Sequence, residues 1–194
     1  MQLSGYNHDY MMVIFNTTMK ALGDHSRILA IRFDLRFPDI ETEAEKDSRV
    51  ITRFFKSLKA KLDADLKRKS HVWKRNLWSS FNYVWVREYG EINGKKHYHV
   101  LLFLNKDVYY GLGDYQEDSR NLSAMIRQAW CSATRLTHPD FFSLVHFAHV
   151  YHLNKNKADI VAKVDEVMAC GSYLAKNVTK HYGDGERSMG SSIL

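Results

Sequence analysis

The sequence is poor in cysteine and proline. It holds only Cys131 and Cys170, which share no paired metal-ligand spacing, so a disulfide scaffold and a cysteine zinc site are both excluded. They read as free thiols of a reducing cytoplasm. The only prolines are Pro38 and Pro139, and there is no low-complexity tract or internal repeat, which argues against a long linker. No stretch approaches the roughly 18 apolar residues of a membrane helix. The clearest apolar run is Val100-Leu101-Leu102-Phe103-Leu104, a buried strand in length and composition. The start, Met1-Gln2-Leu3-Ser4-Gly5, lacks the basic and apolar blocks of a secretory signal. No Gly-x-x-x-x-Gly-Lys-Ser/Thr loop is present.

Against these absences stand 194 residues, 45% of them hydrophobic and 13% aromatic, with a net charge of +6. That balance gives a folded chain of about one domain and favours an anionic partner.

Local patterning gives the element order. Residues 6–24 suit a short helix. In residues 28–36, Ile31, Phe33 and Leu35 alternate with Arg32 and Asp34, a strand that Pro38 ends. Val50, Phe54, Leu58 and Leu62 recur every four residues within a helix over 42–69. Strands follow at 82–90 and 95–104, a helix at 119–134, a strand at 143–152 and a helix at 158–181, interrupted by Gly171. This β-α-β-β-α-β order predicts an α+β, ferredoxin-like (RRM-like) antiparallel sheet with helices on one face and the other face open. The organisation expected is a helical extension over 1–27, the domain over 28–182 and a flexible Gly/Ser-rich tail over 183–194.

The sharpest chemical signal is His97-Tyr98-His99, whose alternation turns both imidazoles to one sheet face. Asn93-Gly94 between the two strands is a hairpin signal. With these as a two-residue turn, paired numbers sum to 187 and Glu88 falls opposite His99, diagonal to His97. A His-His-Glu cluster of mixed nitrogen and oxygen donors suits Mg²⁺ or Mn²⁺. A surface ion-pair cluster would use the same residues. Tyr173 and Lys176 are neighbours on one helical face. A tyrosine hydroxyl ionises near pH ~10, so it needs a cation beside it to act as a nucleophile.

Taken together, Arg87-Glu88-Tyr89, His97-Tyr98-His99-Val100-Leu101-Leu102-Phe103 and, about seventy residues later, Tyr173-x-x-Lys176 resemble the HUH endonucleases of rolling-circle replication. More narrowly, the chain resembles inovirus-type replication initiators, with relatives in prophages and phage satellites. The Arg32-Phe33-Asp34-Leu35 strand and the Arg187…Gly190-Ser191 segment share that likeness, which spans roughly residues 28 to 192. The resemblance implies the HUH nuclease fold and a divalent ion (Mn²⁺ or Mg²⁺) held by Glu88, His97 and His99. It implies Tyr173 as the nucleophile toward single-stranded DNA at an origin, with or without a hairpin, and Lys176 as the neutralising cation. The 5′ side of the break becomes linked to the tyrosine, and the 3′-OH primes replication by a host helicase and polymerase in a bacterial cytoplasm. A second catalytic tyrosine, present in some branches, is absent at the third position after Tyr173, and the next is Tyr182.

Among the remaining residues, Arg32 and Asp34 face the same side and suit DNA, the ion's outer shell or, equally, a cross-strand ion pair. Lys67, Arg68, Trp73, Lys74 and Arg75 interleave charge with an aromatic, as a strand-tracking surface does. Arg87 is a further candidate contact. His146, His149 and His152 are spaced by three, which keeps all three from sharing one strand face. The competing readings are a transposase or relaxase of the same nuclease class and a non-catalytic RRM-like binding module.

Overall fold

The computed structural model describes residues 5–90, 94–114, 120–137, 141–176 and 183–193. In chain order it contains α1 (His8–Asp24), β1 (Arg27–Arg36), a one-turn α2 (Glu43–Lys46), α3 (Val50–Trp73), β2 (Asn82–Tyr89), β3 (Lys96–Asn105), α4 (Leu122–Thr134), β4 (Val145–Asn154), α5 (Ile160–Leu174) and β5 (Met189–Ser191). The strands form one antiparallel sheet in the order β4-β1-β3-β2-β5.

The four-residue repeat of α3 is its buried stripe: Val50, Phe54 and Leu58 are fully buried and Leu62 nearly so. The helix is separate from α2 because the Asp47 carboxylate accepts from the Arg49 amide and pairs with Arg53, which turns the chain. The α4 helix starts where the Asn121 side chain accepts from the Ala124 amide.

Helices cover both sheet faces, where the sequence predicted one. Alternate residues Leu29, Ile31, Phe33 and Leu35 pack on α3 and α4. Their neighbours Ile28 and Ala30, with Val84, Val86, Leu101 and Phe103, pack on α1 and α5 through Ile14, Leu22, Val167 and Leu174. The reason is apolar residues at both parities of β1–β3, which leave neither face fit for water. The segment over 183–194 was expected to be a flexible tail; instead β5 pairs with β2, Val84 opposite Ser191 and Val86 opposite Met189.

At Gly171, α5 meets α1. A Cβ there would lie 2.9 Å from Cγ2 of Ile14, so the glycine permits the close approach. Gly171→Val is therefore expected to lower stability by about 1–3 kcal/mol, read as a lower midpoint in thermal or urea unfolding. An unchanged midpoint would mean that the two helices part without cost.

Candidate metal centre

The apolar part of the α1/α5 face ends at Val86 and Leu101. One strand residue-pair further, the same face turns polar. Arg32 and Asp34 on β1, Glu88 on β2 and His97 and His99 on β3 all project there by the period-two rule. The hairpin register differs from the expected one. Glu88 stands opposite His97, and His99 stands opposite Val86. The Gly90 amide donates to Lys95 and the Gly94 amide donates to Gly90, so Gly90 and Lys95 close the hairpin, where a two-residue turn would have paired Ile92 with Lys95. Gly94 takes a φ of +63°, which favours glycine. A shift of two residues preserves face, so the cluster survives with its opposite and diagonal partners exchanged.

Both histidines are tied back through Nδ1. His99 Nδ1 donates to Asp34 Oδ1 at 2.6 Å, and His97 Nδ1 lies 3.3 Å from the Lys95 carbonyl oxygen. Each Nε2 is thereby turned to the same Glu88 oxygen, at 3.2 Å from His99 and 4.0 Å from His97. The three candidate ligand atoms lie within 4.8 Å of one another, and this is the group of His and acidic side chains fit to hold an ion among the described residues. Glu88 and His99 are buried, while His97 is half-buried at the wall of a cavity of about 460 Å³. Two imidazoles with Nδ1 anchored and Nε2 convergent on a carboxylate form a donor set that fits a divalent cation.

The electrostatics follow from this packing. For His99, burial acts most strongly and pushes the pKa down, but the hydrogen bonds to Asp34 and Glu88 outweigh it and the pKa ends above the ordinary value. For His97, burial and then neighbouring His99 push the pKa down. Burial raises Asp34, yet the His99 hydrogen bond and the charges of His99, Arg32 and Arg36 bring its carboxyl below the usual range.

Tyr173 stands at the last turn of α5, 47% exposed and bordering the cavity. Its ring lies 5.6 Å from that of His99; the Arg32 guanidinium carbon is 5.0 Å from its centroid and the Lys176 Nζ 4.6 Å. The turn is clamped from outside: the Asn7 amide donates to the Ala175 carbonyl, and Tyr6 bridges Lys176. A second cavity of about 410 Å³, lined by Arg32, His149, Tyr151, Glu166 and Cys170, meets Tyr173 from the β4 side.

Other sequence-derived candidates lie elsewhere. Arg87 points to the α3 face, is 1% exposed and pairs with Asp184 and Glu186 at 2.8 Å, so it anchors the C-terminal segment. Its position in β2 is odd-numbered while Glu88 is even, and parity alone separates them. Lys67, Arg68, Trp73, Lys74 and Arg75 are exposed, but they lead toward Asn82, six residues and about 20 Å along β2 from Glu88. Arg68 is also held by Asp65 at 2.6 Å. Tyr182 lies outside the described residues.

Two features had little sequence signal. Asp34 serves as the partner of His99, which only the β1–β3 register reveals. The β4 register shifts between Arg32↔His149 and Phe33↔Phe147, which leaves Ala148 as a bulge. The bulge brings His146 and His149 to the site face, opposite Asp34 and Arg32, while His152 pairs with Leu29 of the other face. Strict alternation would place His146 with His152 and apart from His149; the bulge reverses that.

A family model, the YagK/YfjJ C-terminal domain, matches residues 2–192. The uncharacterized protein YagK of Escherichia coli strain K12 is 39% identical over 179 residues, covering 88% of this chain and 85% of YagK. The uncharacterized protein YfjJ of the same strain is 36% identical over 184 residues, covering 89% and 88%. No solved structure matches. With the match running from residue 2 to residue 192, through the histidine pair, its Asp34 and Glu88 partners and the Tyr173 turn, the chain belongs to the YagK/YfjJ C-terminal domain family.

Proposed function

We propose that the chain is a metal-dependent, single-tyrosine HUH endonuclease that nicks single-stranded DNA at a replication origin. The observation that carries the reading is the convergence of both histidine Nε2 atoms on Glu88 beside the ring of Tyr173. The strand order β4-β1-β3-β2 with intervening helices supports the ferredoxin-like form of that fold. Glu88, His97 and His99 would hold Mn²⁺ or Mg²⁺, which when bound supplies Lewis acidity toward a phosphate oxygen. The chain's own groups do the rest. Arg32 and Lys176 stabilise negative charge at the Tyr173 oxygen and at the phosphate. The tyrosine oxygen loses its proton to water as it bonds to phosphorus, the phosphorus–O3′ bond breaks, and the released 3′ oxygen takes up a proton from water. The 5′ phosphate stays on the tyrosine, and the 3′-OH becomes a primer for a host polymerase, with unwinding by a host helicase.

An RRM-like binding module needs exposed rings on an open sheet. Tyr98 and Tyr109 are 1% and 3% exposed, and helices cover both faces, which weighs against that alternative. The transposase and relaxase readings share the chemistry and differ in the DNA selected.

The test is denaturing gel electrophoresis after incubation with single-stranded DNA of the chain's own replicon and Mn²⁺. The expected result is an SDS-resistant protein–DNA adduct that chelator prevents. DNA binding without any adduct, on origin-containing DNA, would sink the nuclease reading.

A further inference from the structure

A cavity of about 540 Å³ lies on the opposite sheet face, between α3, β2 and β5. Its wall is aromatic. Phe55 and Tyr83 stack at 3.7 Å with planes 11° apart, Phe81 leans on Tyr83 at 5.3 Å, and Trp85 continues the row. Gly190 of β5 keeps the Trp85 indole in place, since a Cβ there would lie 2.7 Å from it. The rim is cationic through Lys56, Lys59 and Arg187. Lys59 pairs with Asp63, whereas exposed Lys56 and Arg187 have no ion-pair partner among the described residues. The one acidic group of the lining, Glu186, is held by Arg87 and Lys96.

Lys59 and Phe81 also border a hollow of about 10 Å³ further along α3, with Asp63 and Leu66. One helical turn beyond Asp63 comes exposed Lys67, and then the basic segment with Trp73 and Trp78, 44% and 57% exposed. The basic, aromatic stretch that stands far from the metal centre thus lies further along the same helix and just beyond it.

From this we propose that the α3/β2/β5 groove is a second binding site for single-stranded nucleic acid, separate from the metal centre and independent of metal. Half-buried Phe81 and Tyr83, backed by buried Phe55 and Trp85 and set beside unpaired cations, are the chemistry that takes bases by stacking and phosphates by charge. An acidic peptide would use the cations and leave the ring faces idle.

The experiment is fluorescence anisotropy of the full chain with a labelled oligothymidylate of about twelve nucleotides, in chelator, across a salt series. The wild type is expected to bind. Lys56→Ala/Arg187→Ala is expected to weaken binding about tenfold or more and to flatten the log Kd against log salt slope by about 1.4, two phosphate contacts at about 0.7 each. Phe81→Leu keeps apolar bulk and removes a ring; it is expected to weaken binding by roughly 5- to 150-fold. Circular dichroism verifies that each variant is folded. Because the probe is read in chelator and neither groove variant changes the metal centre, failure of the nuclease reading would leave the groove standing. The proposal is overturned if wild type ignores the probe. It is also overturned if both groove variants bind it unchanged, or if a polyglutamate peptide competes as well as the oligonucleotide.

Discussion

Tyr173→Phe is expected to abolish the covalent DNA adduct while leaving fold and metal affinity intact. The substitution removes one oxygen. The ring keeps its contacts with His99, Arg32 and Lys176, all of which are ring contacts. The hydroxyl has no hydrogen-bond partner among the described residues, and the side chain is 47% exposed, so its loss strands no buried group. A stability change within about 0.5 kcal/mol is therefore expected. The contrast with His97→Ala makes the result diagnostic. That variant is also expected to lose the adduct, but through lost Mn²⁺ binding, which titration calorimetry reads directly. Adduct lost with metal affinity retained assigns Tyr173 as the nucleophile. An adduct surviving in Tyr173→Phe would move the nucleophile to another side chain, with Tyr182 next to test.

The clustering of Glu88, His97 and His99 was legible because it depends on parity, a property of each strand by itself. Period two places His97 and His99 together whatever the rest of the chain does. Glu88 joins them under any register that differs by an even number. Which histidine stands opposite Glu88 was not legible, because that depends on loop length, and Gly90 closes a longer connection than Asn93-Gly94 suggests. Asp34 was seen on the correct face, but its role needed the pairing Asp34↔His99 across strands distant in sequence. The ion pairs of Arg87 were not legible, because its partners Asp184 and Glu186 come from almost a hundred residues later. The second helical layer was missed for a similar reason. Apolar residues at both parities were read only where they alternated, in Ile31, Phe33 and Leu35, and the α1 stripe ending in Leu22 was treated as an appendage.

Mn²⁺ affinity is expected to rise about tenfold per pH unit up to the folded pKa of His99 and then to level off. Without an ion, His99 sits between Asp34 and Glu88 and holds a proton above the ordinary 6.5. An ion requires the neutral imidazole, so binding must expel that proton, and the competition fades once pH exceeds the folded pKa. His97 adds no further proton release above pH ~6.5 because its pKa is lowered. The same linkage governs the metal-free chain. The His99 contribution to stability is full below its unfolded pKa and is lost as pH rises through its raised folded value. The Asp34 contribution is present above its unfolded pKa and is lost as pH falls through its depressed folded value. Asp34→Asn separates the two roles of that carboxylate. Removing its charge lets the His99 pKa fall, so the level region is expected to begin at lower pH. Losing the acceptor that orients His99 is expected to weaken the plateau affinity by about 10- to 100-fold. Calorimetric titration with Mn²⁺ in buffers of different ionisation enthalpy reads both affinity and protons released. A profile that levels off at the same pH and is equally tight in Asp34→Asn would mean that Asp34 neither holds the proton on His99 nor sets its direction. The tie at Nδ1 would then be incidental to the site.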